Sequence, residues 1–404
     1  MKILQINCVF NEGSTGKIVY DLHTQLRCNG HESIICYGRG KRVNQKNVYK
    51  IASNSYAKVQ KVRSMITGVM YGGCRRSTLQ LEKLISVEKP DVCHIHCING
   101  NFVNIYKLVT WLQEHNIKTL LTLHAEFMHT GNCSYAVECE KWKYGCGDCP
   151  HVRERTKSVF LDNTHISWEY MRSAFEGFNT DLRVVSVSPW LMNRAQQSPI
   201  LANKQHCVIL NGINTEIFCW KKNEKNILPE DIRDKKILLH VTSFFTDEKE
   251  HIKGGYYLIE LAKQLMKYKD IVIVVAGAYE PTVSVPPNIC LLGKVTDQNQ
   301  LAQLYSMSQL TAIVSKRETF SMIVAESMCC GTPVVGFCAG APEQIAIPEY
   351  SRFVEFGDVD NLAKCVKYML DINQNKEKLS QIAIEKYSKN RMFADYMKIY
   401  EGLL

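Results

Sequence analysis

The sequence predicts an α/β protein made of two doubly wound parallel sheets. Three observations predict it. Apolar runs of strand length alternate with segments of helical periodicity along the chain, the pattern of β-α-β units with parallel strands. There are more such runs than one open sheet comfortably carries. The length, 404 residues, suits two or three domains with large cores.

The first element is "KILQINCVF", which reads as a buried strand, Lys2–Cys8. In "GKIVYDLHTQL" the apolar Ile18, Val19, Leu22 and Leu26 recur at helical spacing. Between them lies "GSTGK". A nucleoside-triphosphate loop needs Gly, four residues, then Gly-Lys-Ser/Thr; here Asn11 and Ile18 occupy two of those fixed positions. What remains is strand, glycine turn and helix. Its helix N-terminus can receive an anion or a sugar hydroxyl, or the turn can simply require glycine.

Further strands are expected at Ser33–Tyr37, Val92–His96, Thr119–Leu123 and Val184–Val187, with helices at Leu79–Glu88 and Ile105–His115. "NGINTEIF" followed by "CWKKNEKNILPEDIRDKK" reads as a linker. Beyond it, strands are expected at Ile237–Val241, Ile271–Ala276, Ile289–Leu292, Thr311–Val314 and Pro333–Gly336. The helices between and after them are Tyr256–Tyr268, Gln298–Ser306, Ser321–Cys330 and Val359–Leu370, and the last thirty residues read as one or two more. The expected units are 1–210, 211–385 and a terminal helix over 386–404.

The net charge is +9, and hydrophobic residues make up 46% of the chain, an ordinary value for a globular protein. No apolar run reaches the roughly 18 residues that span a bilayer. Seventeen cysteines without a visible secretory signal point to a reducing cytoplasm. The positive surplus lies in residues 1–200, and from Arg39 to Arg76 there are basic residues without one acidic residue. Inside that stretch Val59, Val62, Ile66, Val69 and Met70 are spaced like one face of a helix. A basic amphipathic helix suits the anionic inner face of a membrane; a packed helix with a solvated basic face is the other reading. No nucleic-acid-binding motif is present, so no nucleic acid is expected as a partner.

The sharpest chemical signal is "SKRETFSMIVAESMCCGTPVVGF". A strand ends near Val314 and a helix begins near Ser321, with Glu318 before it and Glu326 inside it. Ligands of doubly wound sheets bind outside the carboxyl ends of the strands. There the free N–H groups of Thr319 to Met322 can hold a phosphate, Glu326 can accept ribose hydroxyls, and Glu318 can meet a sugar. Two solvated glutamates are the plainer reading.

These stretches resemble the retaining glycosyltransferases of family four, which have the GT-B fold: two Rossmann-like domains facing across a cleft. "ETFSMIVAE" resembles the family's E-x7-E signature. "GTPVVGFCAGAPEQI" resembles the segment after it, where the backbone at Gly340 and Ala341 and the carboxylate of Glu343 lie near the donor. "HIKGGYYLIELAKQL" resembles the K-G stretch whose lysine, here Lys253, contacts the donor diphosphate. "VILNGINTEIF" resembles N-G-[IV]-D…F, with Asn214 in place of Asp. The family's arginine before that lysine is missing, and Lys249 is the nearest cation. "TLLTLHAEF" resembles T-x-H-D, with His124 at a strand end and Ala125 in place of Asp; Gly13 and Gly16 match the family's N-terminal turn.

The resemblance implies transfer of a sugar from a UDP- or GDP-linked donor, without a catalytic metal, to a glycan acceptor. Lys253, Lys249 and the helix start at Ser321 and Met322 would stabilise the departing diphosphate, Glu326 would hold the ribose, and Glu318, Glu343 and His124 would position the sugar. "LHAEFMHTGNCSYAVECEKWKYGCGDCP" is similar to a loop of the branch that makes colanic acid and related surface polysaccharides, in which a lipid-linked oligosaccharide is the expected acceptor. Cys133, Cys139, Cys146 and Cys149 in this loop, residues 131–150, suit a structural zinc or reduced thiols. An epimerase on the same fold, or a non-catalytic basic binding protein, are the competing readings.

Overall fold

The structure, a computed structural model, describes residues 1–178, 181–222 and 227–404. Residues 223–226 of the expected linker lie outside the described residues. The chain divides into two compact units, Met1–Leu210 with Met392–Leu404, and Asn211–Arg391.

The first unit holds a seven-stranded sheet of β1 (Lys2–Asn7), β2 (Glu32–Tyr37), β3 (Val48–Lys50), β4 (Val92–Ile95), β5 (Thr119–Leu123), β6 (Leu182–Ser186) and β7 (Gln205–Val208). Their order is 3-2-1-4-5-6-7 and every pairing is parallel. The central strands are buried along their length, as sheets covered on both faces require. Helix α1 (Gly13–Cys28) turns Ile18, Leu22 and Leu26 onto the sheet. Helix α2 (Asn54–Thr67) ends at Gly68 in a left-handed cap, so Val69 and Met70, expected on its apolar face, lie outside it.

The second unit holds a six-stranded sheet of β8 (Lys236–Phe245), β9 (Ile271–Tyr279), β10 (Ile289–Gly293), β11 (Leu310–Ile313), β12 (Val334–Phe337) and β13 (Ser351–Val354), ordered 10-9-8-11-12-13, again all parallel. Its core joins α3 (Gly255–Leu265) to the sheet through Leu258, Leu261 and Leu265. Helix α4 (Met322–Cys329) follows β11. The segment 211–218, which reads as linker, is part of this unit: Ile213 and Phe218 are buried, and Ile213 bridges Ser388. In the terminal helix α5 (Lys389–Leu403), Met392, Tyr396, Tyr400 and Leu403 belong to the first unit's core, with Ile3, Leu22 and Leu120.

Candidate functional site

In the second unit, the chemistry-bearing side chains gather where β8, β11 and β12 end. These strands are neighbours in the sheet and run parallel, so their carboxyl ends share one edge. After β8 the chain turns into α3 through Gly254, whose φ is +70°; a Cβ there would stand 1.9 Å from the carbonyl oxygen of Val314. Only glycine allows this approach. It brings the β8 loop against the β11 loop, where the N–H of Lys316 donates to the carbonyl of Ile252 at 2.8 Å. Lys253 Nζ then donates to Glu318 Oε1 at 2.8 Å. Lys249 stands on the same loop with its Nζ 5.6 Å from the ring centre of Tyr256.

Glu318 is fixed from its other side as well. Its N–H donates to the carbonyl of Ala339 at 2.9 Å, and its carbonyl accepts the N–H of Ala341 at 3.2 Å. Just beyond β12, the carboxylate of Glu343 accepts the N–H groups of Ala339 and Gly340 at 3.0 and 2.9 Å. Both Glu343 oxygens therefore serve the turn that carries Gly340. Glu343, expected near the donor sugar, thus shapes the backbone of this turn.

Ser321 precedes α4 with φ +78° and ψ +87°, a conformation that costs a non-glycine residue of order 1–3 kcal/mol. Its side chain makes no cap bond to the helix, and its buried Oγ has no hydrogen-bond partner among the described residues. A strained residue with an unpaired hydroxyl at an uncapped helix N-terminus, beginning at Met322, is an arrangement that can receive an anion. Within α4, Glu326 Oε2 accepts from the hydroxyl of Tyr305 at 3.3 Å. Tyr305 is fully buried, and burial, reinforced by the Glu326 charge, pushes its phenol well above the usual range, so it stays a donor. Tyr305 escaped sequence reading: its helical spacing within "LAQLYSMSQL" marks it only as a core residue.

In the first unit, α1 begins at Gly13, earlier than the apolar periodicity from Gly16 suggested. Both glycines lie within α1, which Gly13 opens with φ +63°, in the left-handed region. A Cβ on Gly16 would stand 3.1 Å from Val9 Cγ2 and 3.3 Å from the N of Asn11, whose N–H donates to the carbonyl of Gly16 at 3.0 Å. Gly16 closes the loop onto the helix.

His124 follows β5 and is buried with two other imidazoles. His124 Nε2 is 3.3 Å from His96 Nδ1, and His96 Nε2 is 3.2 Å from Gln5 Oε1. His94 stacks on His96 with centroids 3.7 Å apart, and its nitrogens meet Tyr400 Oη at 2.7 Å and Thr122 Oγ1 at 2.8 Å. Burial pushes His124 down to about 4, so at neutral pH it offers an uncharged hydrogen-bonding edge. Glu126, the carboxylate nearest the family's missing aspartate, is committed elsewhere. It is fully buried, accepts Arg194 Nε at 2.5 Å and the N–H of Ala136 at 2.8 Å, and lies 3.6 Å from His129 Nε2. Burial works to raise its pKa, but His129, Arg194 and Ala136 outweigh it and hold the carboxyl below its ordinary value.

Glu126 and Arg194 anchor the cysteine loop, with Arg194 over the ring of Trp142 at 4.8 Å. Cys133, Cys139, Cys146 and Cys149 line one small cavity beside Trp142. Among the described residues, however, no three His, Cys, Asp or Glu side chains form a group that could hold a metal ion. The shared cavity fits the zinc expectation; the arrangement of the thiols within it does not, and no metal chemistry is assigned to them. Burial, with the neighbouring thiols, raises Cys133 and pushes Cys146 up to about 12. Brief iodoacetamide labelling at about pH 8 is therefore expected to spare Cys133 and Cys146 in the native chain and to modify both after denaturation. Rapid native labelling of Cys146, read by mass spectrometry, would contradict the buried-thiol assignment.

Comparison with known proteins gives the site its context. Residues 223–386 match the family model "Glycosyl transferases group 1". The chain is 22% identical over 422 residues to the "Putative colanic acid biosynthesis glycosyl transferase WcaC" of Escherichia coli (strain K12), covering all of both chains. Among solved structures it is similar to sucrose-phosphate synthase from Thermosynechococcus elongatus, with TM-score 0.67, 14% identity, and 100% and 99% of the two chains covered. It is also similar to Anabaena HepE in complex with UDP, with TM-score 0.64, 13% identity and both chains fully covered. The same protein is described in complex with UDP-glucose. The fold is GT-B.

Proposed function

We propose that this chain, a glycosyltransferase with a group 1 domain on a GT-B fold, moves a sugar with retention from a UDP-linked donor to a lipid-linked glycan in surface polysaccharide synthesis. The observation that carries the donor reading is the second unit's edge, where Lys253, Glu318, the uncapped N-terminus of α4 and Glu326 gather at the ends of β8 and β11. Lys253, Lys249 and the N–H groups from Met322 onward stabilise charge on the departing diphosphate. Glu326, oriented by Tyr305, takes the ribose hydroxyls. Glu318 and the Gly340 turn, shaped by Glu343, position the sugar, with His124 as a neutral partner. The UDP and UDP-glucose complexes of HepE support uracil as the base, and the WcaC relative supports polysaccharide synthesis. No helix among the described residues is long and apolar enough to cross a membrane; a lipid-linked acceptor is reached from the surface, with the basic stretch 39–76 facing anionic headgroups.

Thermal-shift measurements with UDP-, GDP- and ADP-sugars, each beside its free nucleotide, test the reading. A UDP-sugar at about 100 times its Kd should stabilise the fold by about 2.7 kcal/mol, and Glu326→Ala should abolish the shift. Stabilisation by GDP- or ADP-sugars alone would overturn the base. A sugar isomer formed without any acceptor would replace transferase by epimerase.

A further inference from the structure

The helix α2 is inverted relative to an ordinary surface helix. Its buried residues are Ala57 and Ser64, while Val59, Val62 and Ile66 are 62%, 54% and 50% exposed. At 3.6 residues per turn the three apolar residues fall within about 60° of one another and roughly 180° from Ala57 and Ser64. The helix thus rests on the unit through its small residues and presents its branched apolar ones outward.

A second apolar segment lies at the end of this stripe. The N–H of Val159 donates to the carbonyl of Met65 at 2.9 Å, and Asn163 Nδ2 donates to the carbonyl of Thr67 at 2.7 Å. A Cβ on Gly68 would stand 2.4 Å from the carbonyl oxygen of Leu161. The chain from Ser158 to Asn163 is therefore tied to the end of α2. On it Val159, Phe160 and Leu161 are all exposed, Phe160 by 76%. Six exposed apolar side chains from two joined segments exceed the single scattered hydrophobics of an ordinary surface.

The charges around them have one dominant sign. Lys58, Lys61 and Arg63 flank the stripe on α2, and Arg153, Arg155 and Lys157 precede the loop. The acidic residues nearby are Glu154, whose carboxylate is 3.2 Å from His151 Nδ1, and Asp162, whose carboxylate accepts the N–H of Cys149 and both the N–H and hydroxyl of Thr164.

We infer that α2 and the Val159–Leu161 loop form a membrane-insertion element. Phe160, Val62 and Ile66 enter the headgroup boundary of an anionic phospholipid surface while the surrounding lysines and arginines pair with lipid phosphates. The inference rests on the membrane half of the function proposed above, and it adds the loop, which lies outside the basic stretch 39–76. Charge complementarity selects this occupant: a second copy would bring the same basic rim against itself.

Flotation of the full chain with vesicles tests it, using phosphatidylcholine alone or with about one-third phosphatidylglycerol. The chain should float with the anionic vesicles only, and release as salt rises from about 0.1 to 0.5 M. Phe160→Ser combined with Val62→Ser should weaken binding at least about tenfold. Both positions are exposed, so melting temperature and UDP-sugar shift should match the parent. Equal flotation of parent and variant, or none with either vesicle, overturns the inference. So does a concentration-dependent dimer in lipid-free buffer that the variant abolishes, because the patch then belongs to a second copy. Lipid binding lost in the variant, in a chain with no nucleotide-sugar shift, would sustain this inference while sinking the donor reading.

Discussion

Lys253→Ala is expected to lower kcat/KM for sugar transfer about 100- to 1000-fold, carried mainly by kcat, with the melting temperature within a few degrees of the parent. The sugar–phosphate bond breaks with negative charge growing on the leaving diphosphate, and a cation fixed beside it stabilises that state more than the bound donor. The Gly254 turn places Lys253 at the strand ends, and Glu318 holds it at 2.8 Å. The pair is partly solvated, with side-chain exposures of 28% and 13%, so losing the lysine strands no deeply buried charge and stability changes little. Lys253→Arg keeps the charge but changes the donor geometry, and should recover part of the rate. Glu318→Gln frees Lys253 yet removes the carboxylate proposed to meet the sugar, and should also lower kcat. Near-parental kcat in Lys253→Ala would remove the lysine from the reaction; a melting temperature lowered by tens of degrees would make it structural.

Much of where these residues lie was legible because the signals are local. The E-x7-E spacing and the adjacent Lys-Gly-Gly lie in segments whose strand, loop and helix are strongly patterned, and the expected helices Gln298–Ser306, Ser321–Cys330 and Val359–Leu370 differ from those found by only a residue or so at each end. The strands missing from the sequence reading, β3, β7 and β13, share one physical trait. Each is a sheet edge of three or four residues. Edge strands carry fewer buried positions, so "VYK" and "QHCV" lack an apolar run. The contacts of Tyr305 and Glu343 were illegible for another reason. What they do depends on a partner brought near by the fold: Glu326 for the tyrosine, the Ala339 and Gly340 N–H groups for the glutamate. The same holds for α2. Periodicity shows that a helix has an apolar face but not which way the face points, and here small residues took the buried side.

The second large effect concerns the first unit's histidines. Its stability is expected to be nearly flat from about pH 6.5 to about 8, where the unfolded thiols begin to ionise, and to fall steeply as the pH drops from about 6.5 toward 4. Burial pushes His124 and His23 down to about 4 in the folded chain, and holds His94 and His96 well below their ordinary value. The Arg27 charge adds to this at His23, and within the cluster a proton on one imidazole opposes a proton on the next. In the unfolded chain each histidine titrates near 6.5. Between the two values the unfolded state binds the proton and the folded state does not, so stability rises with pH across that window and is lost on acidification. Each group shifted to about 4 then forfeits about 2 kcal/mol by pH 5, and His23 and His124 together about 4 kcal/mol, a large share of an ordinary domain's 5–15 kcal/mol. The carboxylate Glu126, held below its ordinary value, adds its own loss at lower pH. Histidine proton shifts followed by NMR separate the contributions: His124 should show no titration near 6.5 in the folded chain. The same neutrality sets a kinetic expectation. The imidazole of His124 stays uncharged in the folded chain at neutral pH, so the pH–rate profile should carry no limb near 6.5 from this residue. A titration of His124 at 6.5 in the folded chain, or constant stability from pH 6.5 to 5, would mean that the imidazole cluster reaches water, and the case for a neutral sugar-orienting edge would fail with it.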